Sequence, residues 1–128
     1  MKPQMILKLA SIIGCLAVVF GAFGAHSFES ILLENNRVDT FETAVQYHFY
    51  HVIILVLISI LIQKNKSIYL VRSAYLLIVG ILLFSGSLYV LALTNITILG
   101  AITPIGGLCF IAGWTCLFYS AKDQKLDS

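Results

Sequence analysis

The sequence predicts an all-α integral membrane protein: one domain of 128 residues, folded as a bundle of four antiparallel transmembrane helices. Its composition, its apolar runs and the positions of its basic residues support this fold. The hydrophobic fraction is 59% and the charged fraction is 11%, whereas a soluble domain is about half apolar and roughly a quarter charged. A small soluble protein needs more charges than this to cover its surface. The composition therefore suits a chain surrounded by lipid.

The apolar runs have the length that a membrane requires. A helix needs about 20 apolar residues to cross a hydrocarbon core of roughly 30 Å. Residues 73–121 contain no charge and can cross twice, with a turn at the polar cluster 94–97. The predicted helices cover residues 5–25, 40–62, 73–93 and 98–120. Asp39 and Glu42 resemble a capping box for the second helix, and Thr103-Pro104 a cap with proline in the first turn of the fourth.

The basic residues give an orientation. On a four-helix topology, seven of the eight lie on the side that holds both termini. The positive-inside rule makes that side cytoplasmic, with the chain in the cell membrane. A cleaved signal peptide would leave three crossings and disturb this asymmetry, so it is disfavoured. Lipoprotein processing at Cys15 is disfavoured because the apolar segment before Cys15 is very short and an apolar run continues after it. The seven residues are Lys2, Lys8, Lys64, Lys66, Arg72, Lys122 and Lys125.

Two rows of small side chains predict close helix packing. Ala17, Gly21 and Ala25 recur every four residues in the first helix, which places them on one face. Such rows let neighbouring backbones approach each other in lipid. The fourth helix carries a longer row: Gly106, Cys109, Gly113, Cys116 and Ser120. The expected partners are the lipid bilayer and a second copy or another membrane protein. Nucleic acid is not expected, because the net charge is only +2 and no basic patch contains interleaved aromatics.

The histidines are the side chains best suited to bind a metal or cofactor. His26 ends the first helix, and His48 and His51 lie in the first turns of the second, so all three are expected in the outer leaflet. Ionisable residues at membrane depth often mark functional sites. Imidazoles could bind a transition metal, and a pair on facing helices could hold a haem. They could equally hydrogen-bond to loop backbone and tie helix ends together.

Enzyme templates are absent from the sequence. It contains no G-x-S-x-G, no glycine-rich loop followed by lysine and no H-E-x-x-H, so no catalytic residue is assigned. Cys109 and Cys116 lie two helical turns apart, about 10 Å by helical rise, which is too far for a disulfide. With no C-x-x-C pair, they are expected to be small packing residues.

Several motifs, taken together, resemble one family. They are residues 21–26, 41–45, 84–89 and 99–107, with Tyr50-His51 and Gly113-Trp114. With these motifs the sequence is similar to domain-of-unknown-function family 423, which is related to the transmembrane protein 256 group. The resemblance covers nearly the whole chain and implies a multi-pass membrane protein. It supplies no activity, substrate or cofactor.

The resemblance also indicates which positions form a candidate site. Gln46 stands where the family commonly has arginine and His48 where it commonly has glutamine, so His48 is doubtful as part of a shared site. A pair of His26 and His51 remains as the candidate metal site. The polar positions carried over are His26, Thr43, Tyr50, His51, Ser85, Tyr89 and Thr103, and Gly86, Pro104 and Gly107 accompany them.

Three functions remain open from the sequence. The first is a non-enzymatic interaction or assembly component, for which the small-residue rows matter most. The second is a transport element for small molecules, protons or ions, lined by the hydroxyls of Ser85, Ser87 and Thr103. The third is a metal- or haem-binding protein that uses His26 and His51.

Overall fold

The computed structural model describes residues 1–123 and contains four helices long and apolar enough to cross a membrane. They are the first span, Pro3–Ala25; the second, Val38–Lys64; the third, Ile68–Thr94; and the fourth, Thr97–Lys122. A short helix, Glu29–Glu34, lies between the first two spans, and the described residues contain no strand. The prediction of an all-helical protein with four spanning helices is confirmed.

The ends of the spans differ from the prediction. The third span begins at Ile68 rather than at residue 73, because the Ser67 hydroxyl accepts a hydrogen bond from the Tyr69 amide and caps the helix earlier. The predicted cap of the second span is wrong: Arg37 occupies the N-cap position without a side-chain bond. Asp39 instead lies in the first turn, where a carboxylate favours the positive helix end.

The fourth span begins irregularly. Thr97–Ala101 is a 3-10 helix, and the α-helix Thr103–Lys122 follows, with Pro104 in its first turn. Ile102, rather than Thr103, occupies the N-cap position, so the predicted threonine cap is wrong. The Thr103 hydroxyl lies 2.7 Å from that of Ser87 on the third span, and this contact between spans replaces the cap.

Two left-handed asparagines shape the end of the bundle opposite the termini. Asn36 has φ 54° and Asn95 has φ 56°, a conformation that asparagine adopts more readily than most residues. Arg37 Nε donates to Asn95 Oδ1 over 3.1 Å, and Asn35 Nδ2 donates to the Ala92 carbonyl over 3.0 Å. The loop after the short helix is therefore bonded to the turn that ends the third span.

The spans form two packed hairpins. The first span packs mainly on the second and the fourth mainly on the third, while the second and third pack on each other. In the most apolar 18-residue stretch of each span, 17% of the residues are buried in the first and fourth spans. The corresponding share is 39% in the second span and 50% in the third. The second and third spans therefore form the centre, and the first and fourth flank it.

The small residues of the fourth span serve this intramolecular packing. A Cβ on Gly106 would clash with the backbone of Phe84, and one on Gly113 would lie 2.7 Å from Leu77 Cδ2. Gly80 of the third span accommodates the Phe110 ring in the same way. The row on the fourth span is therefore covered by the third span of the same chain.

The packed row of the first span is not the predicted one. Ala17 is buried and Gly21 half-buried, but Ala25 is exposed. A Cβ on Gly14 would lie 3.1 Å from Val52, and one on Gly21 would lie 3.5 Å from Val45. The row that faces the second span alternates steps of four and three residues: Ala10, Gly14, Ala17, Gly21 and Gly24.

The start of the chain, the loop between the second and third spans and the end of the fourth span lie at one end of the bundle, as the positions of the basic residues predicted. Ser67 Oγ donates to Asp123 Oδ2 over 2.7 Å, so the loop between the second and third spans meets the end of the fourth. Lys2 and Gln63 line one small surface cavity, so the start of the chain lies there too. Lys125 falls outside the described residues. The cytoplasmic location of this end stays a prediction.

Candidate functional site

The second span carries two buried histidines to the middle of the bundle. His51 is the central residue of this 27-residue helix, and His48 lies one turn away. Only 3% of His48 and 5% of His51 is exposed. The sequence predicted that both histidines lie in the first turns of this helix. That prediction is wrong, because the helix begins at Val38 and its first turns end well before His48.

His51 uses both ring nitrogens inside the bundle. Nδ1–H donates to the Tyr47 carbonyl over 2.7 Å, and Nε2 accepts from the indole N–H of Trp114 over 3.3 Å. Its ring stacks on Phe110 with centroids 3.6 Å apart and planes 6° apart. His51 therefore links the second span to the fourth, and no nitrogen is left for a ligand.

The surroundings of His51 form an aromatic groove between the second and fourth spans. Its volume is about 570 Å³. Tyr50 is 56% exposed at its edge, while the Phe84 ring lies 4.6 Å from that of Tyr47 in its interior. The groove is lined by Tyr47, Tyr50, His51, Phe84, Gly107, Phe110, Ile111 and Trp114.

The structure does not bring His26 and His51 together. His26 is exposed at the end of the first span, whereas the residue next to His51, Val52, contacts Gly14. Twelve residues separate Gly14 from His26, which corresponds to about 18 Å of helical rise. No group of three or more potential metal-ligating side chains occurs within residues 1–123. The geometry therefore gives no support to a metal or haem shared by these two histidines.

His48 is paired differently. Its Nδ1 lies 3.0 Å from the Tyr89 hydroxyl, a buried contact between the second and third spans. Phe20 of the first span stacks on the Tyr89 ring with centroids 4.5 Å apart. The backbone of Ile13 approaches the ring, but His48 Nε2 is buried without a partner in hydrogen-bond geometry.

The predicted hydroxyl lining connects neighbouring spans. Ser85 Oγ donates to the Ala44 carbonyl over 2.8 Å, joining the third span to the second. Ser73 Oγ donates to the Gly113 carbonyl over 2.8 Å, joining the third span to the fourth. Together with the bond between Ser87 and Thr103, these contacts use the hydroxyls that a transport path through one chain would need. Hydroxyls near the middle of a membrane commonly bond in this way.

A π-helical turn interrupts the third span next to Ser85. The turn covers Ile81–Ser85, and the Gly86 amide donates to the Ile81 carbonyl five residues earlier. Such turns insert one extra residue and often occur at functional sites. After the turn, Gly86 and Tyr89 line one cavity with His48.

The predicted cluster is thus divided among several places. Tyr50 and His51 share the aromatic groove, Tyr89 is bonded to His48, and half-buried Thr43 joins none of these contacts. His48 was considered and set aside, Trp114 was noted only as part of the Gly113-Trp114 motif, and Ser73 was missed. The three-residue spacing of His48 and His51 in an apolar run was a signal for the first, whereas nothing local indicated the contacts of Trp114 or Ser73.

A chain with four apolar spans and interior polar groups bonded from helix to helix is a small multi-pass membrane protein. Residues 20–107 match a family profile described as "Protein of unknown function (DUF423)". The chain belongs to this family, and the resemblance seen in its motifs is confirmed. No solved structure matches it.

Three relatives show how far the similarity extends. UPF0382 membrane protein SH2409 of Staphylococcus haemolyticus is 48% identical over 89% of this chain and 95% of its own length. UPF0382 membrane protein YwdK of Bacillus subtilis is 43% identical over 92% and 96%. UPF0382 inner membrane protein YgdD of Escherichia coli is 34% identical over 98% and 95%. The protein is therefore a multi-pass cell-membrane protein of a family without an assigned activity.

Proposed function

We propose that this protein is a non-enzymatic assembly component of the membrane that pairs with a second copy through the open face of its first span. The observation that carries the proposal is a second row of small or β-branched side chains on that helix. All five members are exposed, and their steps alternate between four and three residues. They are Ser11, Cys15, Val18, Ala22 and Ala25.

The open row runs beside the packed one. Each member follows a member of the packed row by one residue, which is about 100° around the helix. A mean spacing of 3.5 residues matches the seam of a left-handed helix pair. Small side chains in such a seam let two backbones approach in lipid, where close packing drives association. The same spacing already joins the first span to the second within the chain.

The interior polar groups favour assembly over catalysis or transport. Ser73, Ser85 and His51 are bonded between spans, so they stabilise the bundle rather than converge on a substrate. Most of the surface of the first span is also not covered by the rest of the chain, since only 17% of the residues in its most apolar stretch are buried. A protein built in this way offers helix surfaces for contact more readily than a reactive centre.

A second copy suits this row because the positive-inside rule predicts the same orientation for all copies. Two copies related by a two-fold axis along the membrane normal would place their first spans parallel, with each residue opposite its counterpart. Cys15 would then face the Cys15 of the other copy. Lys8 extends the row toward the N terminus, so like charges would make the two helices diverge at that end.

Oxidative cross-linking in native membranes tests this arrangement. A Cys109→Ser/Cys116→Ser protein keeps Cys15 as the sole cysteine, because the chain has three. We expect copper phenanthroline to convert it to a disulfide-linked dimer. Adding Cys15→Ser should abolish the dimer, and adding Ala22→Leu should strongly reduce it by separating the backbones.

A matched control distinguishes a specific pair from random collision. Ile12 is 60% exposed and lies off the open row, so Ile12→Cys in a cysteine-free background reports random encounters. Equal cross-linking at positions 12 and 15 would overturn the proposal. So would a Cys15 adduct whose mass corresponds to a different protein.

A further inference from the structure

Two cations and two tyrosines form a cationic patch where the third span begins and the fourth span ends. The Arg72 guanidinium carbon lies 5.8 Å from the centroid of the Tyr69 ring, and the Lys122 ammonium lies 5.5 Å from that of Tyr119. The centroids of the two tyrosine rings lie 5.8 Å apart. The rings therefore join the two spans and carry one cation from each.

The direction of the side chains brings both cations to one level of the membrane. The Cβ atoms of an α-helix point toward its N terminus. The third span begins at this end, so Arg72 points out of the bilayer and reaches back over Tyr69, three residues earlier. The fourth span ends here, so Lys122 points back toward the bilayer, with its ammonium 5.1 Å from the ring centroid of Phe118. The two charges therefore approach the same level from opposite sides.

This level corresponds to the headgroup layer of a bilayer. The third span has 27 residues, or about 40 Å by helical rise, which approaches the thickness of about 40–45 Å that includes both headgroup layers. Tyr69 is its second residue, and tyrosine is enriched where membrane and water meet. A long basic side chain that reaches this layer keeps its charge out of the hydrocarbon.

Positive charge predominates at this end of the bundle. Among residues 1–123, six basic residues and one carboxylate, Asp123, belong to it. Asp123 Oδ2 accepts a hydrogen bond from Ser67, which joins the loop to the fourth span. The other four carboxylates of residues 1–123 lie in the short helix and near the start of the second span, at the opposite end. The cationic patch therefore attracts anions.

The hydrogen-bonding chemistry of the patch suits a phosphate. The face of an aromatic ring attracts a cation but offers no oxygen acceptor. The guanidinium of Arg72 has five N–H donors and the ammonium of Lys122 has three, and the two tyrosine hydroxyls can also donate. Phosphate oxygens accept such bonds strongly, in bidentate geometry from arginine and as a point-charge contact from lysine.

An anionic glycerophospholipid matches both the charge and the location of the patch. Its phosphate lies in the headgroup layer, and its acyl chains can extend along apolar side chains such as Phe118, which is 61% exposed. A zwitterionic lipid also carries an ammonium, which Arg72 and Lys122 repel. Basic sites between spans at the cytoplasmic side bind anionic headgroups in this way.

We propose that the cationic patch binds one anionic glycerophospholipid, with its phosphate between Arg72 and Lys122. Tyr69 and Tyr119 are positioning residues that hold the two cations at the depth of the phosphate. This binding site lies on the third and fourth spans. It is therefore separate from the open row of the first span and goes beyond the assembly role.

Lipid titration of the purified full-length protein in detergent, read by native mass spectrometry, tests the proposal. Dioleoylphosphatidylglycerol and dioleoylphosphatidylcholine have the same acyl chains and differ in headgroup charge. We expect one tightly bound phosphatidylglycerol per chain. Phosphatidylcholine should bind about tenfold more weakly, because its ammonium offsets the attraction of the phosphate.

Charge-matched double variants locate the site. Arg72→Gln/Lys122→Gln should weaken phosphatidylglycerol binding about 30-fold, since each basic residue near an anionic surface contributes about 1 kcal/mol. Lys2→Gln/Lys8→Gln removes two charges from the same end of the bundle, but on the first span. This control should weaken binding less than about threefold.

A third double variant tests the positioning role of the rings. Tyr69→Leu/Tyr119→Leu keeps every charge and removes both rings, so it should weaken phosphatidylglycerol binding about fivefold. Tyr50→Leu, at an exposed tyrosine of the second span, is its control and should leave binding unchanged. Full affinity in Tyr69→Leu/Tyr119→Leu would contradict the positioning role.

Two results with the wild-type protein would overturn the proposal without any variant. Equal affinity for the two lipids would remove headgroup charge from the argument. Displacement of phosphatidylglycerol by an equal concentration of inorganic phosphate would assign the cations to a soluble anion. Among the variants, equal losses in Arg72→Gln/Lys122→Gln and Lys2→Gln/Lys8→Gln would mean that the whole end attracts anionic lipid, without a site at the patch.

Discussion

The two buried histidines of the second span lie one turn apart, yet the fold satisfies them unequally. His51 has partners for both nitrogens and a stacked ring against Phe110. His48 has one partner in hydrogen-bond geometry, Tyr89, while the backbone of Ile13 only approaches its ring. Burial alone therefore does not assign a role to a histidine, because the fold satisfies His51 fully and His48 only in part.

The grooves around the two histidines differ in the same way. Around His51, the ring of Phe110 fills the space that Gly80 leaves open, so the third and fourth spans meet closely. Around His48, Gly86 leaves space that no side chain fills. Two glycines of one helix thus serve opposite purposes, one for packing and one for an opening.

The largest expected effect separates a packing glycine from the open one. Gly106→Leu should prevent folding or cost more than about 3 kcal/mol of unfolding free energy, because the added side chain meets the backbone of Phe84, which cannot move aside. Gly86→Leu should fold with a melting temperature near that of the wild type. Thermal unfolding of both variants in one detergent measures the contrast, and equal destabilisation would contradict it.

Replacing each histidine with alanine should give the next largest difference. His51→Ala should lower the unfolding free energy by about 2–3 kcal/mol, since it removes a stacked ring and two hydrogen bonds. His48→Ala should cost less, because it removes one hydrogen bond and also one unsatisfied nitrogen. Denaturant or thermal unfolding of the two variants side by side measures the order, and a larger loss for His48→Ala would reverse the assignment.

The hydroxyls between spans should contribute smaller amounts. Ser85→Ala should cost about 0.6 kcal/mol, the average for a hydrogen bond between helices in a membrane. Ser11→Ala is its control, because Ser11 is exposed and bonds only to the Leu7 carbonyl of its own helix. If Ser85 instead lined a transport path, Ser85→Ala would alter flux into liposomes while leaving stability unchanged.

The smallest expected effect on the folded monomer belongs to the open row of the first span. Ala22 is exposed, so Ala22→Leu should change the melting temperature of the monomer in detergent very little. The same substitution in the packed row, Ala17→Leu, should destabilise it, because Ala17 is fully buried. Equal destabilisation by the two variants would mean that the open row is also covered within one chain.

Much of the candidate site could not be predicted from the sequence. The serine and glycine cluster 85–87 was recognised as polar at membrane depth, but its partners, Ala44 and Thr103, lie on other helices. His48 was set aside because of the family pattern, although the structure buries it in a contact with Tyr89 between two spans. The predicted pair of His26 and His51 gains no support from the geometry, since closeness to the loop in sequence says little about depth along a long helix.

The four spans and the membrane location could be predicted from the sequence alone. Apolar length is a local property, and the bilayer supplies a uniform solvent that any sufficiently long apolar helix enters. The tertiary structure decided which face of each helix meets a neighbour. A shift of one residue turns a helix by about 100°, and it is this difference that separates the packed row of the first span from its open row. The same rotation places His51 against Trp114 and His48 at the base of an open groove.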